Sequence, residues 1–237
     1  VDSIELRNRY TPLPTFPLRA GRSASIIPLP DSEAAAWAQL RSTARNRIRK
    51  AQAAGLQVHL GFAHLSEFEA AYAENMQHLG APILPRRFFM GLAEHLQLGP
   101  ASELITLRHQ GRTLAGMVLM AFRDGAENGW TASTLVGREL YCNDLLYWEA
   151  IRWSLGRGLK WLDLGRSEAG GSHEKFKEKF GAQSLALPYQ ELARRGKTWE
   201  GVAQEPAGLY RAFSAVWRRL PPPIAKALGP YVSRQVY

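Results

Sequence analysis

The hydrophobic period of this chain changes near residue 104, from helical spacing to short alternating strands, and that switch restricts it to mixed α/β architectures. Ahead of the switch, the stretch Ser32 to Ala54 is rich in Ala, Arg and Gln. It follows Asp31, a candidate N-cap, and ends at Gly55, which supplies a left-handed C-cap, so one helix is expected. A short strand is expected at Leu56 to Leu60. Ser66-Glu67-Phe68-Glu69 reads as a capping box, after which Phe68, Ala71, Tyr72, Met76 and Leu79 recur at helical spacing up to Gly80. Another helix is expected over Pro85 to Leu98, with proline tolerated in the first turn.

Beyond the switch, Leu104 to Arg108, Thr113 to Phe122 and Gly129 to Val136 read as an antiparallel meander turned at Gln110-Gly111 and Asp124-Gly125. Asn143 is a candidate cap for a helix through Arg157 that stops at Gly158, and Trp161 to Leu164 reads as a buried strand behind it. A helix between two such strands implies a right-handed crossover and a parallel pair. A short helix at His173 to Phe180 and a strand at Leu185 to Leu192 follow. This order of elements suggests an α/β acyltransferase fold of the GNAT type, a mixed sheet flanked by helices.

Residues 1–30 carry Pro12, Pro14, Pro17, Pro28 and Pro30 without sustained periodicity, so they are expected to be an extended connector or the tail of a preceding unit. Residues 31–195 form the expected domain, and residues 196–237 a basic amphipathic helical extension. There Leu209, Phe213, Val216, Trp217 and Leu220 share a helical face before Pro221-Pro222-Pro223 ends it. Such a helix covers the domain's own core or lies on a membrane, and the first is the ordinary case.

The charge distribution narrows the partners. Of the formal +9, residues 1–50 contribute +5, residues 51–193 contribute −2 and residues 194–237 contribute +6. A near-neutral body with two basic flanks suits phosphate-bearing partners: a nucleotide-type donor or acceptor, tRNA, or an anionic membrane surface. A soluble protein that simply prefers arginine would look the same, and DNA is not expected. Apolar runs such as Leu114 to Phe122 fall far short of the roughly 18 residues needed to cross a bilayer. Cys142 stands alone, which excludes an internal disulfide framework and a multi-cysteine zinc site. No basic-then-apolar leader follows Val1, so the expected location is cytoplasmic, with peripheral contact at the inner membrane as an option.

Two basic clusters are candidates for chemistry. Arg41, Arg45 and Arg49 are spaced to share one helix face as a phosphate-reading stripe, or as a merely solvated one. Asp163-Leu164-Gly165-Arg166-Ser167, then Gly170-Gly171-Ser172 and Lys177, place a strand end beside a glycine loop, where ligands of open α/β sheets sit. Lys177 there suits charge developing on a carbonyl or phosphate oxygen, with an Asp163 to Arg166 ion pair and an exposed basic helix as the plainer reading. The six histidines lack the i, i+4 pairing of a zinc helix, so no metal site is expected. A GxSxG elbow and a GxxxxGK[ST] loop are both missing, which disfavours an α/β-hydrolase and a P-loop nucleotidase.

Several motifs in order, from Arg45-Asn46-Arg47-Ile48-Arg49-Lys50-Ala51 through Leu79-Gly80-Ala81-Pro82, Leu146-Tyr147-Trp148-Glu149, Asp163-Leu164-Gly165-Arg166-Ser167 and Phe176-Lys177 with Phe180-Gly181, resemble the FemAB-like branch of the GNAT superfamily. The likeness extends to the FemAB-related proteins that accompany exosortase and exopolysaccharide systems. It implies a GNAT-fold acyltransferase, possessing one of two tandem units, that moves an acyl or aminoacyl group from acyl-CoA or charged tRNA onto an amine of a cell-envelope or exopolysaccharide precursor. Lys177 and Arg166 are then expected to stabilise charge, Arg45 and Arg49 to hold phosphates, and Trp130, Asn143, Tyr147 and Asp163 to line the cleft. A non-catalytic scaffold that binds a membrane or partner is the alternative from another class. The CoA pyrophosphate loop of GNAT enzymes would align with Arg138 to Asn143. Tyr141 and Asn143 stand at its glycine positions, where side chains are expected to obstruct close backbone contact with phosphates.

Overall fold

A computed structural model describes residues 3–7, 11–14, 16–19, 21–96, 102–193 and 207–236. Its main sheet has seven strands in the order β4-β5-β6-β7-β8-β3-β9: β3 Arg22–Pro28, β4 Gln57–Leu60, β5 Ser102–His109, β6 Arg112–Phe122, β7 Gly125–Ser133, β8 Trp161–Glu168 and β9 Gln183–Ala186. Neighbouring strands are antiparallel except β7 and β8, the parallel pair expected from the crossover. A second, three-stranded sheet joins β1 (Ser3–Arg7), β10 (Tyr189–Ala193) and β2 (Leu18–Arg19).

Helices cover both faces of the main sheet. One face carries α1 (Glu33–Gln39), α2 (Ser42–Ala53) and α6 (Cys142–Gly156), over a core that includes Ile48, Ile105, Leu107, Met117, Leu145 and Leu162. The other carries α3 (Leu65–Leu79), entered through a 3-10 turn at Phe62–His64, and α4 (Arg86–Leu96). There Phe68, Tyr72 and Phe89 meet edge-on or tilted, with ring centroids 5.0 to 5.9 Å apart, the geometry that aromatic quadrupoles favour. Outside α3 lie α8 (Ala207–Arg219) and α9 (Pro222–Val236). The remaining short helices are α5 (Leu135–Glu139) and α7 (Ser172–Glu178).

Several sequence expectations are corrected. The helix expected from Ser32 to Ala54 is two, because Leu40 and Arg41 take extended backbone; this turns Leu40 into the core, and Arg41 N–H then bonds the Lys179 carbonyl at 2.9 Å. Its cap is Ser32, whose hydroxyl accepts from Ala35 N–H at 3.2 Å, and not Asp31. Helix α3 starts at Leu65, ahead of the capping box, and Ser66 Oγ instead accepts from Arg86 at 3.1 Å. Asn143 lies in the first turn of α6, one residue inside the start, and Tyr141 occupies the N-cap. The second hairpin turns at Arg123-Asp124, since Phe122 pairs with Gly125. Gly125 sits under the indole of Trp161, where a Cβ would come within 2.0 Å of the ring. The strand expected from Leu185 to Leu192 breaks before Tyr189, next to Pro188, which has no N–H for a ladder, and its halves join different sheets.

Among the described residues before 31, the longest strand is β3, Arg22–Pro28. β3 lies between β8 and β9, paired with both, and buries Ala24 and Ile27. In the C-terminal extension Trp217 and Ser214 face inward, whereas Val216, placed on the same apolar face by the sequence, is 61% exposed.

Candidate active site

The site begins where β7 and β8 part. Their pairing runs through Gly125–Trp161, Ala126–Leu162 and Glu127–Asp163, and each strand then bulges. On β7, Gly129 is the extra residue between Asn128, opposite Leu119, and Trp130, opposite Val118. On β8, Leu164 and Gly165 together oppose Ser25, with Gly165 at φ +78°, a conformation open mainly to glycine. Bulges bend and twist strands, so two of them just past the last shared pair open a fork in the sheet.

Two clefts meet at this fork. The first, of about 440 Å³, is lined by Arg7, Glu127, Asn128, Asp163, Arg166 and Tyr189 among others. Its charge is balanced, two guanidiniums against two carboxylates. Asp163 is buried and accepts from Gly165 N–H at 2.8 Å, which steadies the bulge, and Arg166 reaches the Tyr189 hydroxyl at 3.5 Å. The second, of about 590 Å³, lies at the carboxyl end of β7, between that strand, the end of α3, the start of α6 and α7. Arg138, Asn143, Tyr147, Ser133 and His173 line it, and among the described residues no carboxylate does. Arg138 donates to Asn75 Oδ1 at 2.6 Å and to Ser133 Oγ at 3.3 Å, which aims its guanidinium across the cleft.

Tyr147 joins the clefts. Thr131 Oγ1 donates to Asn128 Oδ1 at 2.7 Å, so the Asn128 amide is left to donate to the Tyr147 oxygen. Burial pushes the Tyr147 phenol up to about 12, with the Asn128 hydrogen bond pulling the other way. With Asn128 donating, the phenol keeps its own proton for another acceptor.

The N-cap residue of α6, Tyr141, makes no side-chain cap; Leu145 N–H bonds the Tyr141 carbonyl at 3.2 Å, and the N–H groups ahead of it have no acceptor within the helix. Tyr141 holds the left-handed φ of 58° that a loop glycine would take, and its ring lies near Arg47 and Lys50 of α2, 5.6 and 5.8 Å from the centroid. Its side chain is therefore outside the cleft lining, contrary to the obstruction expected from the sequence. Asn143 does line the cleft, and its Oδ1 is a buried acceptor with no partner. An uncapped helix start and an aimed guanidinium fit the phosphates of a donor such as acyl-CoA, and the open Asn143 Oδ1 fits an N–H or hydroxyl elsewhere on it.

Lys177 lines neither cleft. It is 6% exposed, and its three ammonium protons go to Gly165 O at 2.8 Å, Arg166 O at 3.2 Å and Ser167 Oγ at 2.9 Å. Burial lowers its pKa to about 8, with Asp163 and Glu174 opposing. Glu174 in turn accepts from Ser184, Ser23 and Gly170 N–H, each at 2.5 Å, and these bonds lower its carboxyl to about 2. The two residues clamp the β8 bulge and the glycine loop from beneath.

Of the residues singled out by sequence, Asn143 and Tyr147 stand in one cleft and Asp163 and Arg166 in the other. Arg45, Arg49 and Trp130 line neither. Arg45 donates to the Ala38 and Leu40 carbonyls at the end of α1, and Arg49 lies 5.4 Å from the Trp37 ring. Trp130 meets Phe88 at 5.1 Å over the aromatic core. Sequence reasoning passed over Asn128, Thr131 and Glu127 because polar residues in a strand carry no motif. Gly129 amid that strand was the available signal of a bulge. Cys142, beside the helix start, is buried, and burial pushes its thiol up to about 12, so it is no nucleophile.

A mixed seven-stranded sheet forked at its parallel pair, with an uncapped helix start facing the fork, defines the acyltransferase class of α/β proteins. The chain belongs to the acetyltransferase (GNAT) domain family, whose model matches residues 38–178. Among solved structures it resembles the crystal structure of FemX, with 12% identity and a TM-score of 0.65, over 81% of this chain and 64% of that one. It also resembles the C-terminal domain of a putative lysylphosphatidylglycerol synthetase from Agrobacterium fabrum, with 13% identity and a TM-score of 0.55, over 84% and 66%. A GCN5-related N-acetyltransferase from Sphaerobacter thermophilus matches at 12% identity and a TM-score of 0.52, over 81% and 59%. At such identities the likeness is one of fold, and the chain spans less than two thirds of the length of each. No curated protein matches the sequence.

Proposed function

We propose that this domain transfers an acyl group from acyl-CoA to an amine, by direct attack and without an acylated enzyme. The observation that carries the reading is the carboxylate-free cleft where Arg138, Asn143 and the uncapped start of α6 converge beside the fork. When bound, the donor supplies a thioester carbonyl ready for attack. Arg138 and the first-turn amides of α6 hold its phosphates, and Asn143 Oδ1 accepts from a donor N–H or hydroxyl. Glu127 and Asp163, in the other cleft, attract an ammonium acceptor and take the proton whose loss frees its lone pair for attack; the second proton, shed once the C–N bond has formed, ends on the CoA thiolate released as the C–S bond breaks. The Tyr147 hydroxyl donates a hydrogen bond on the leaving-group side, and Arg166 orients the acceptor. Lys177 acts through the bulge it holds and so positions Gly165 and Arg166. The acceptor implied by the FemAB-like resemblance is an amine of a cell-envelope or exopolysaccharide precursor.

Calorimetric titration with acetyl-CoA tests this reading. Saturable binding that Arg138→Ala weakens about tenfold supports it, and no binding at physiological salt removes the CoA donor.

A second reading has its own observation. Arg47 and Lys50 flank the Tyr141 ring next to the start of α6, a cation and aromatic grouping of the kind that grips nucleic acid ends. On that reading the donor is an aminoacyl-tRNA, and binding of bulk charged tRNA would fall steeply with salt and with Arg47→Ala.

A further inference from the structure

We infer that the α8–α9 hairpin docks the protein on an anionic lipid bilayer. Helix α9 is inverted relative to an ordinary surface helix. Its small residues Ala225, Gly229 and Ser233, spaced i, i+4, i+8, are the buried ones, and Gly229 lies so close to Ile83 that a Cβ would come within 2.5 Å of that side chain. Its large apolar residues Ile224, Leu228 and Tyr231, spaced i, i+4, i+7, are 46%, 45% and 70% exposed. Val216 of α8 is exposed as well, at 61%. A soluble domain normally buries its large side chains and leaves the small ones outside, so this face is built to be covered by something else.

Charge decides what covers it. Residues 207–236 contain Arg211, Arg218, Arg219, Lys226 and Arg234 and no Asp or Glu. The side chains of Arg211, Arg218 and Arg219 are exposed, and Lys226, also exposed, stands near Glu69 of α3. Apolar side chains with cations and no carboxylates fit the interfacial zone of a membrane, where the former enter the acyl boundary and the latter meet lipid phosphates. A protein partner or a second copy would need acidic groups opposite these cations, and the hairpin offers none for a self-complementary contact.

Position gives the docking a consequence. Helix α3 contributes Asn75 and Leu79 to the Arg138 cleft, and Gly80 at its end packs on Ser214 of α8. The hairpin thus holds the transferase cleft at the membrane surface and directs the reaction to amines displayed there. The docking itself does not depend on the reaction proposed above.

The test is co-sedimentation of the full chain with vesicles of phosphatidylcholine alone or with about one third phosphatidylglycerol. Binding to the anionic vesicles is expected, weakened at least about tenfold in pure phosphatidylcholine, by high salt, and in the Arg211→Gln/Arg219→Gln variant. The triple variant Ile224→Ser/Leu228→Ser/Tyr231→Ser should lose about tenfold in binding while its thermal midpoint and acetyl-CoA titration stay those of the parent, since these side chains are exposed. Absence of binding to anionic vesicles overturns the inference, as does undiminished binding of the triple variant. Self-association in sedimentation velocity that the triple variant abolishes would also overturn it and assign the face to a second copy.

Discussion

At the scale of single residues, the reaction proposed above separates groups that meet substrate from groups that hold them in place. It puts Tyr147 in the first set, so loss of its proton should be felt mainly in turnover. Tyr147→Phe is expected to lower kcat roughly 10- to 100-fold with little change in acetyl-CoA affinity, measured by steady-state kinetics and calorimetry. Lys177 holds. Lys177→Met leaves the Gly165 and Arg166 carbonyls without their donor and should cost about 2–3 kcal/mol in urea unfolding, along with activity. Glu174 offers a pH test. Its folded pKa of about 2 lies below the ordinary 4.5, so its contribution to stability is full above 4.5 and is lost as pH falls through about 2. Wild type should therefore lose stability more steeply than Glu174→Gln between those values in acid unfolding followed by circular dichroism.

At the scale of elements, the fork depends on how closely β7 and β8 are joined below it. Gly125 begins the shared segment and lies against the Trp161 indole, leaving no room for a methyl group. Gly125→Ala should cost about 2 kcal/mol and raise the KM for donor and acceptor together, because the pair that sets the angle of the fork is pushed apart. Steady-state kinetics on both substrates, with thermal unfolding alongside, would check it. Periodicity located most elements of the sheet and the α6 crossover, since alternation and helical spacing are local signals. It missed the break at Leu40-Arg41, where local helix preference loses to burying Leu40 and pairing Arg41 N–H with a distant carbonyl.

At the scale of the whole molecule, the chain before residue 31 decides whether the domain folds. β3 bonds β8 on one side and β9 on the other, so its removal exposes two edges and opens the core at Ile27. A chain starting at residue 31 should show no cooperative unfolding transition by circular dichroism, whereas one starting at residue 21 keeps β3 and should unfold cooperatively. The buried Lys179–Asp144 ion pair, 2.8 Å long, ties α7 to the start of α6 and so links the clamp beneath β8 with the Arg138 cleft.

What this sequence determined alone was the meander from β5 to β7, the α6 crossover with its parallel pair, and the mixed α/β class, because these follow from spacing within short windows; β3, the break at Leu40-Arg41 and the helix that begins at Pro222 were not legible. Of the residues the sequence singled out, Asn143 and Tyr147 line one cleft and Asp163 and Arg166 the other, the first pair on α6 and the second on β8. Tertiary structure decided the rest. The arginines at 45 and 49 bind a helix end and an indole, Lys177 turns inward to a bulge, and Asn128 enters the site through a relay that no motif marks. In each case the outcome depends on which buried acceptor lies within reach of a side chain, and those acceptors come from segments far away along the chain.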